Sequence, residues 1–517
     1  MKRAPLADVL FVLLAASIVG WVAWDAFVFR LITHVPGSDY WEHSAVLRAL
    51  IAEPWHPRHP LVVTDAGSPR FNPHFLLVAL TARALHWGPI DAMALAAVFN
   101  AVLFAGGIFL FFRVYFRDAK ASLYALVVFF GTWLAKAPHF SNVYKLSVFF
   151  SVAGYPSTAA LALTLFALTL TTHLLRDPRE RPGLLALSAV GWAYIYVTHP
   201  LTAMMAFTAA LLLALTEPNV ARRRRVWVAL TLPAGLVLTG FWPYYPAFGM
   251  VMRGTVARVS ERMATHAPTE LHPFYAPSAL YQIVGFALLG VPCLGYFVVV
   301  RKHLFVVLGA LAMLGVFVVS AWFDVPLGHR FVLLAVFFLQ IALVFLLLAL
   351  TPTGASLPAW ARRTWLRILG GAAVAGLLTL MAVTNVQAAV TRFQEFRGGV
   401  SPTVRAGRRI GQIAGDDAVI LGEAQASWSL PTFGPRIVSP HHSNPLVPDT
   451  DQRRRDARRF FAPGVTDQER ARILAQYRVT HVLFTARQGG SAERFVENRS
   501  ALNELPYGLR LYTLEKK

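Results

Sequence analysis

The run from Phe331 to Leu350 carries no charge and a single polar side chain, Gln340. That is about the 18–20 apolar residues a helix needs to cross a bilayer. Hydrocarbon offers no partner to an unpaired amide, so a chain with many such runs must place them in helices that bury one another. Further apolar runs lie at about 7–24, 91–112, 121–138, 155–175, 183–197, 201–216, 226–245, 278–300, 304–322 and 367–388, making about eleven in all. The 183–197 and 201–216 runs are short and split by His199-Pro200. The 517-residue chain is 56% hydrophobic and only 15% charged, against about 25% charged in soluble domains. This excludes an ordinary soluble enzyme, a disordered chain and a coiled coil. The one cysteine, Cys293, allows no intrachain disulfide.

The net charge of +21 invites a nucleic-acid reading. Its distribution argues against one. Met1-Lys2-Arg3 precedes the first apolar run, which lacks a small-residue cleavage site and reads as a retained helix. With the N-terminus inside, the inner segments hold Lys2 and Arg3; Arg113, Arg117 and Lys120; Arg176, Arg179 and Arg181; Arg222 to Arg225; Arg301 and Lys302; Arg362, Arg363 and Arg367. Every inner loop is basic, as the positive-inside rule requires. The expected protein is thus a multi-pass integral membrane protein of a bacterial inner membrane, with a cytoplasmic N-terminus. An odd number of spans leaves the tail outside.

Two polar regions then share the outer face: a first loop, 31–90, and a tail, 389–517. The predicted fold class is an all-α polytopic membrane domain (residues 1–388) with a C-terminal α/β extracytoplasmic domain. In the tail, Ala418–Leu421 reads as a strand. Thr466-Asp467-Gln468-Glu469 is a capping box opening a helix toward Tyr477. Thr480–Phe484 and Leu509–Leu514 read as further strands. Ser439-Pro440-His441-His442-Ser443-Asn444-Pro445 is loop by composition, its His pair either facing a ligand or merely solvated.

The first loop opens His34-Val35-Pro36-Gly37-Ser38-Asp39-Tyr40-Trp41-Glu42-His43. Ser38 or Asp39 can cap a helix running to about Ala52. Val46, Leu47, Leu50 and Ile51 give it an apolar side, so it is expected along the membrane surface with Tyr40 and Trp41 at the interface. Asp39, Glu42 and His43 fall on adjoining positions of one face. Such a carboxylate, beside a second acid and an imidazole, can act as a general base; alternatively Asp39 only caps, and Glu42 and His43 face water. His34, His43, His56, His59 and His74 with Asp65 are of the ligand types a divalent metal takes, although their spacing matches no strong ligand pattern.

A first helix, an outer loop opening with an acid, a surface helix, then Phe71-Asn72-Pro73-His74-Phe75-Leu76-Leu77 leading into the second span resembles the GT-C superfamily of polytopic membrane glycosyltransferases. The soluble outer tail is similar in placement. Many members carry an Asp-Asp, Asp-Glu or Asp-x-Asp element, whereas this chain has Ser38-Asp39-Tyr40-Trp41-Glu42. The resemblance implies inverting transfer of a sugar from a polyprenyl-phosphate donor to a lipid, glycan or protein acceptor in the cell envelope. It also implies that Asp39 is the general base. The departing lipid phosphate needs cations. The candidates are Arg330 and His329 before the tenth span, Lys145, Arg70, and Arg253, Arg258 and Arg262 with His266 and His272. Arg330 beside an apolar span can serve the phosphate or snorkel to headgroups. His199, Tyr245 and His59 are candidates for the substrate cavity. His199-Pro200 can equally be a Pro-forced turn. Tyr244, Tyr245, Trp242 and Trp322 can stack on sugars or form the usual interfacial belt.

The competing reading is a polytopic transporter or lipid flippase with an outer accessory domain. Such a protein should place ionisable residues or broken helices near the bilayer midplane. Here Asp25, Lys136 and His173 sit near span ends, and the polar residues gather outside. A structural protein whose tail binds cell-wall components would not need the first-loop acid.

Overall fold

The computed structural model describes residues 5–134, 141–177, 179, 181–249, 273–323, 325, 327–351, 364–395, 400–442, 444, 446–498 and 500–515. Lys136, Arg253, Arg258, Arg262, His266, His272, Arg362 and Arg363 lie outside the described residues. The chain forms two compact units, the first made of residues 1–22, 97–242 and 246–396 and the second of 23–96, 243–245 and 397–517.

Each of the eleven apolar runs contains a described helical segment. The helices are α1 (Leu6–Trp24), α2 (Asp39–Ala52), α3 (Pro73–Ala84), α4 (Pro89–Phe116), α5 (Ala119–Gly131), α6 (Leu146–Val152), α7 (Pro156–Arg176), α8 (Pro182–Thr198), α9 (Pro200–Thr216) and α10 (Arg222–Leu238), then Pro277–Val284 with Val291–Val300, Leu304–Phe323, Phe331–Leu350 and Thr364–Glu395. Among the described residues, six helices are long and apolar enough to cross a membrane. Helices α8 and α9 have 17 residues each, about 26 Å at the α-helical rise and short of a roughly 30 Å hydrocarbon core. Their apolar length alone therefore does not establish a crossing. Three expected runs also differ in detail. The 121–138 helix stops at Gly131. The 278–300 run is interrupted by a 3-10 turn over Gly285–Gly290. The 226–245 run ends at Leu238, and Pro243–Tyr245 belong to the other unit.

In the membrane unit Phe331–Leu350 is buried on nearly all sides, as a helix apolar all round must be. Gly309 of Leu304–Phe323 lies under it: a Cβ there would fall 2.2 Å from the Phe338 ring, the small-residue contact by which apolar helices approach closely. Two buried amides in this unit donate across helices. Asn100 Nδ2 donates to the Ala153 carbonyl at 2.8 Å, and Gln340 Nε2 to Thr132 Oγ1 at 2.8 Å.

The second unit is built on a sheet of β1 (Val419–Leu421), β2 (Arg436–Ile437), β3 (His481–Phe484), β4 (Ser500–Glu504) and β5 (Arg510–Leu514), in the order β2-β1-β3-β5-β4. Strand β1 pairs parallel with β2 and β3, while β5 runs antiparallel to β3 and β4. Strands β1 and β3, in the middle of this mixed sheet, are wholly buried. The N-cap half of the predicted capping box forms, with Thr466 Oγ1 accepting from the Glu469 amide, while Glu469 Oε1 pairs with Arg459 at 2.7 Å. Phe460 and Ile473 from the helices Thr450–Phe461 and Asp467–Gln476, and Tyr477 just past the second, join the core over the sheet.

The first loop is woven into this body. Ile437 N donates to the Leu61 carbonyl at the sheet edge. Ser401 Oγ donates to Thr33 O, Trp428 Nε1 to Ser38 O, Arg48 Nε to Pro431 O, and Thr432 Oγ1 to Trp41 O. Helix α2 is therefore not a surface helix with one wet side. Tyr40 through Leu47 are all buried, and the Trp41 indole donates inward to Val35 O.

Candidate functional site

Helix α2 begins at Asp39, and its N-cap is Ser38 in extended backbone. The expected capping does not occur: the Ser38 side chain makes no cap bond. Asp39 instead turns to the tail, where its Oδ1 lies 2.9 Å from Nε2 of His442. The two side chains are 36% and 39% exposed. Burial pushes the Asp39 carboxyl up, but the contact with His442 and the charges of Arg70 and His43 outweigh it and hold the group well below the usual carboxylate range.

One turn along, Glu42 Oε2 sits 3.1 Å from Arg70 Nη2, with side chains 7% and 35% exposed. Glu42 and His43 thus do not face water. His43 is buried with its ring 5.3 Å from that of Phe75. The Glu42 carboxylate, and after it Asp39, raises the pKa of Arg70 against burial. Arg70 is placed by its neighbour Asn72, whose Nδ2 donates to Arg70 O while its Oδ1 accepts from Phe75 N and caps α3. Tyr245 is buried, and its phenol acts electrostatically on Arg70.

The His pair of the tail is not a solvated loop. His442 packs edge-on to Trp428 at 5.1 Å, with the His441 ring 4.6 Å away. Arg454 holds the loop backbone, donating to Pro440 O and His441 O. His441, Gln425, Glu423, Arg454 and Gln488 help line a cavity of about 720 Å³. Sequence reasoning noted the His pair but had no means of joining it to Asp39.

The remaining predicted residues fall elsewhere. His59 is buried beneath a turn, its Nδ1 facing the amides of Leu61 and Val62 and its Nε2 lying 3.1 Å from Asn444 Nδ2. Burial pushes it down to about 4, which makes it a neutral fastener of the loop. His199 caps α9: its Nδ1 accepts from the Thr202 amide at 3.2 Å, the Pro-forced-turn reading. In the membrane unit Arg330 Nη1 donates to Ser141 Oγ at 2.9 Å, which ties the turn before Phe331–Leu350 to the segment bearing Lys145. Lys145 is buried, and His329 packs edge-on to Phe274 at 5.2 Å. Among the described residues no three His, Cys, Asp or Glu side chains gather as metal ligands, and the first-loop histidines are dispersed.

An apolar helical unit together with a first loop that packs with a C-terminal α/β region is a fold shared with solved GT-C membrane glycosyltransferases. The chain is similar over 97% of its length to 97% of ArnT from Cupriavidus metallidurans bound to undecaprenyl phosphate, with TM-score 0.58 and 14% identity. Over 97% of its length it is similar to 74% of the oligosaccharyltransferase of Archaeoglobus fulgidus, with TM-score 0.53 and 12% identity. Over 100% of its length it matches 40% of the arabinofuranosyltransferase AftD from Mycobacteria, with TM-score 0.54 and 13% identity. No family model and no curated protein matches the chain.

Proposed function

We propose that this chain is an integral membrane glycosyltransferase that moves a sugar from a polyprenyl-phosphate carrier to an acceptor on the extracytoplasmic face. The observation that carries the reading is Asp39: a half-exposed carboxylate, held ionised, at the start of the helix that follows the first membrane helix of a GT-C fold. The neighbouring folds add weight, since ArnT was seen with undecaprenyl phosphate and the Archaeoglobus AglB with dolichol-phosphate.

In this mechanism the Asp39 carboxylate accepts the proton of an acceptor hydroxyl as its oxygen attacks the anomeric carbon. The bond from that carbon to the phosphate oxygen breaks, and its electron pair stays on that oxygen of the departing lipid phosphate. Attack opposite the leaving group inverts the anomeric centre. Glu42 and Arg70 brace the helix that presents Asp39, and His442 fixes the carboxylate's direction. Arg330, His329 and Lys145 in the membrane unit are assigned to the lipid phosphate, for which guanidinium, imidazolium and ammonium are suited donors. The N-terminus is cytoplasmic and the tail extracytoplasmic.

The test uses the full chain in lipid nanodiscs with a panel of undecaprenyl-phosphate sugars and candidate acceptors, read by mass spectrometry. Asp39→Asn should lower transfer by ~100-fold or more with an unchanged melting curve. Undiminished transfer by that variant defeats the base assignment. Counterflow of lipid-linked sugar in proteoliposomes, without covalent product, supports a transporter instead.

A further inference from the structure

The second unit holds a larger cavity, of about 850 Å³, that none of Asp39, Glu42 or His442 lines. Its walls come from the 55–67 loop, Pro243 and Tyr244, the sheet-edge residue Arg436, Arg453 of the helix Thr450–Phe461, and the end of the helix Asp467–Gln476. The walls are set by close backbone contact: a Cβ on Gly67 would lie 2.5 Å from the Tyr244 carbonyl oxygen.

Four guanidinium groups, those of Arg58, Arg436, Arg453 and Arg478, line it against one carboxylate, Asp65. Their commitments differ. Arg453 is spent on structure, bonding Asp449 and Val63 O and lying over the Tyr477 ring at 5.0 Å. Arg58 and Arg436 approach a single carboxylate, Asp417, at 3.0 and 3.9 Å. The Arg478 side chain has no hydrogen-bond or ion-pair partner among the described residues. Arg478 also occupies left-handed backbone, φ 52°, just past a helix end, where glycine is the residue without strain. An exposed arginine in left-handed backbone thus lines the cavity with its guanidinium uncommitted to a hydrogen bond or ion pair among the described residues. Aromatic rings complete the walls: Trp55, 66% exposed, with Tyr244, Tyr477 and Phe71.

The geometry points to a binding site for an anionic saccharide, a sugar ring bearing phosphate or carboxylate. Guanidinium groups pair bidentately with such anions. The exposed Trp55 ring takes the apolar face of a sugar ring, and Asp65 accepts from its hydroxyls. At about 850 Å³ the space suits a ligand of one to three rings. None of Asp39, Glu42, Arg70 or His442 lines the cavity, and the assignment does not rest on the Asp39 chemistry.

The test is calorimetric titration of the full chain in zwitterionic nanodiscs with glucose 6-phosphate, glucose and inorganic phosphate. The phosphosugar should bind at least tenfold more tightly than either part. Arg478→Gly should weaken that binding tenfold or more while raising the thermal midpoint, because it relieves the backbone; a purely structural arginine would move neither in this opposed way. Asp39→Asn should bind as the natural chain does, which separates this site from the transfer reaction. A second arm incorporates a dialkyl glucose 6-phosphate in the nanodisc. Competition with the free sugar supports a membrane headgroup as the ligand's source, and its absence alongside tight free-sugar binding supports a soluble one. Glucose 6-phosphate binding no better than inorganic phosphate, or unaffected by Arg478→Gly, overturns the site.

Discussion

Nε2 of His442, in the tail, stands 2.9 Å from Oδ1 of Asp39, the first residue of the first-loop helix. The contact opposes the upward push of burial on the carboxyl. A carboxyl with a depressed folded-state pKa stabilises the fold above its unfolded value, near 3.9, and the stabilisation is lost as pH falls through the lower folded value. His442→Gln removes one lowering influence and leaves burial in place. The acid limb of the pH–rate profile should move upward by roughly one pH unit, with the alkaline side of kcat little changed. An unmoved acid limb would show that His442 does not tune Asp39.

Arg70 is the ion-pair partner seen for the almost wholly buried Glu42 carboxylate. Removing one partner of a buried pair costs more than removing both, since a lone charge stays desolvated. Arg70→Met should destabilise the chain by about 2 kcal/mol, discounted from the ~3–5 of fully buried pairs because Arg70 is a third exposed. The double variant with Glu42→Gln should recover part of that in thermal denaturation. A double variant no more stable than Arg70→Met would remove the pair from the account.

Asn72 joins two jobs, capping α3 through Phe75 N at 2.9 Å and holding Arg70 O at 3.0 Å. Asn72→Ala should cost about 1 kcal/mol through the cap and lower kcat by loosening Arg70. Asn72→Asp keeps the cap acceptor but loses the amide donor. It should restore most of the stability and less of the rate.

In the membrane unit, Gly309 admits the Phe338 ring where a Cβ has no room. Gly309→Val should lower the melting temperature in nanodiscs through overpacking worth about 1–3 kcal/mol. Pairing it with Phe338→Leu should return much of the loss. A fully stable Gly309→Val single variant would contradict the close helix contact.

The helical runs were legible because lipid burial and local backbone pairing act over neighbouring residues: Phe331–Leu350, the 39–52 helix and the Thr466 capping box all declare themselves in a few adjacent positions. Strands β2 and β4 were not, since two residues at an edge or a largely exposed run carry no periodic signal. The site was half legible. Spacing and resemblance single out Asp39 and its neighbours, whereas a Pro- and Asn-rich loop leaves the His442 pair open between ligand and solvent until its tertiary partner is known.

Composition and periodicity by themselves determined a polytopic helical bundle, a C-terminal α/β region and an acid after the first helix, because each depends on the hydrophobicity or hydrogen bonding of nearby residues. Only the tertiary structure decided that the first loop packs with the tail, that Trp428 reaches Ser38 across 390 positions of sequence, and that Asp39 meets His442 while Glu42 meets Arg70. Those pairings are chosen by which charges and rings can be buried together once the chain has folded, and no local pattern records that choice.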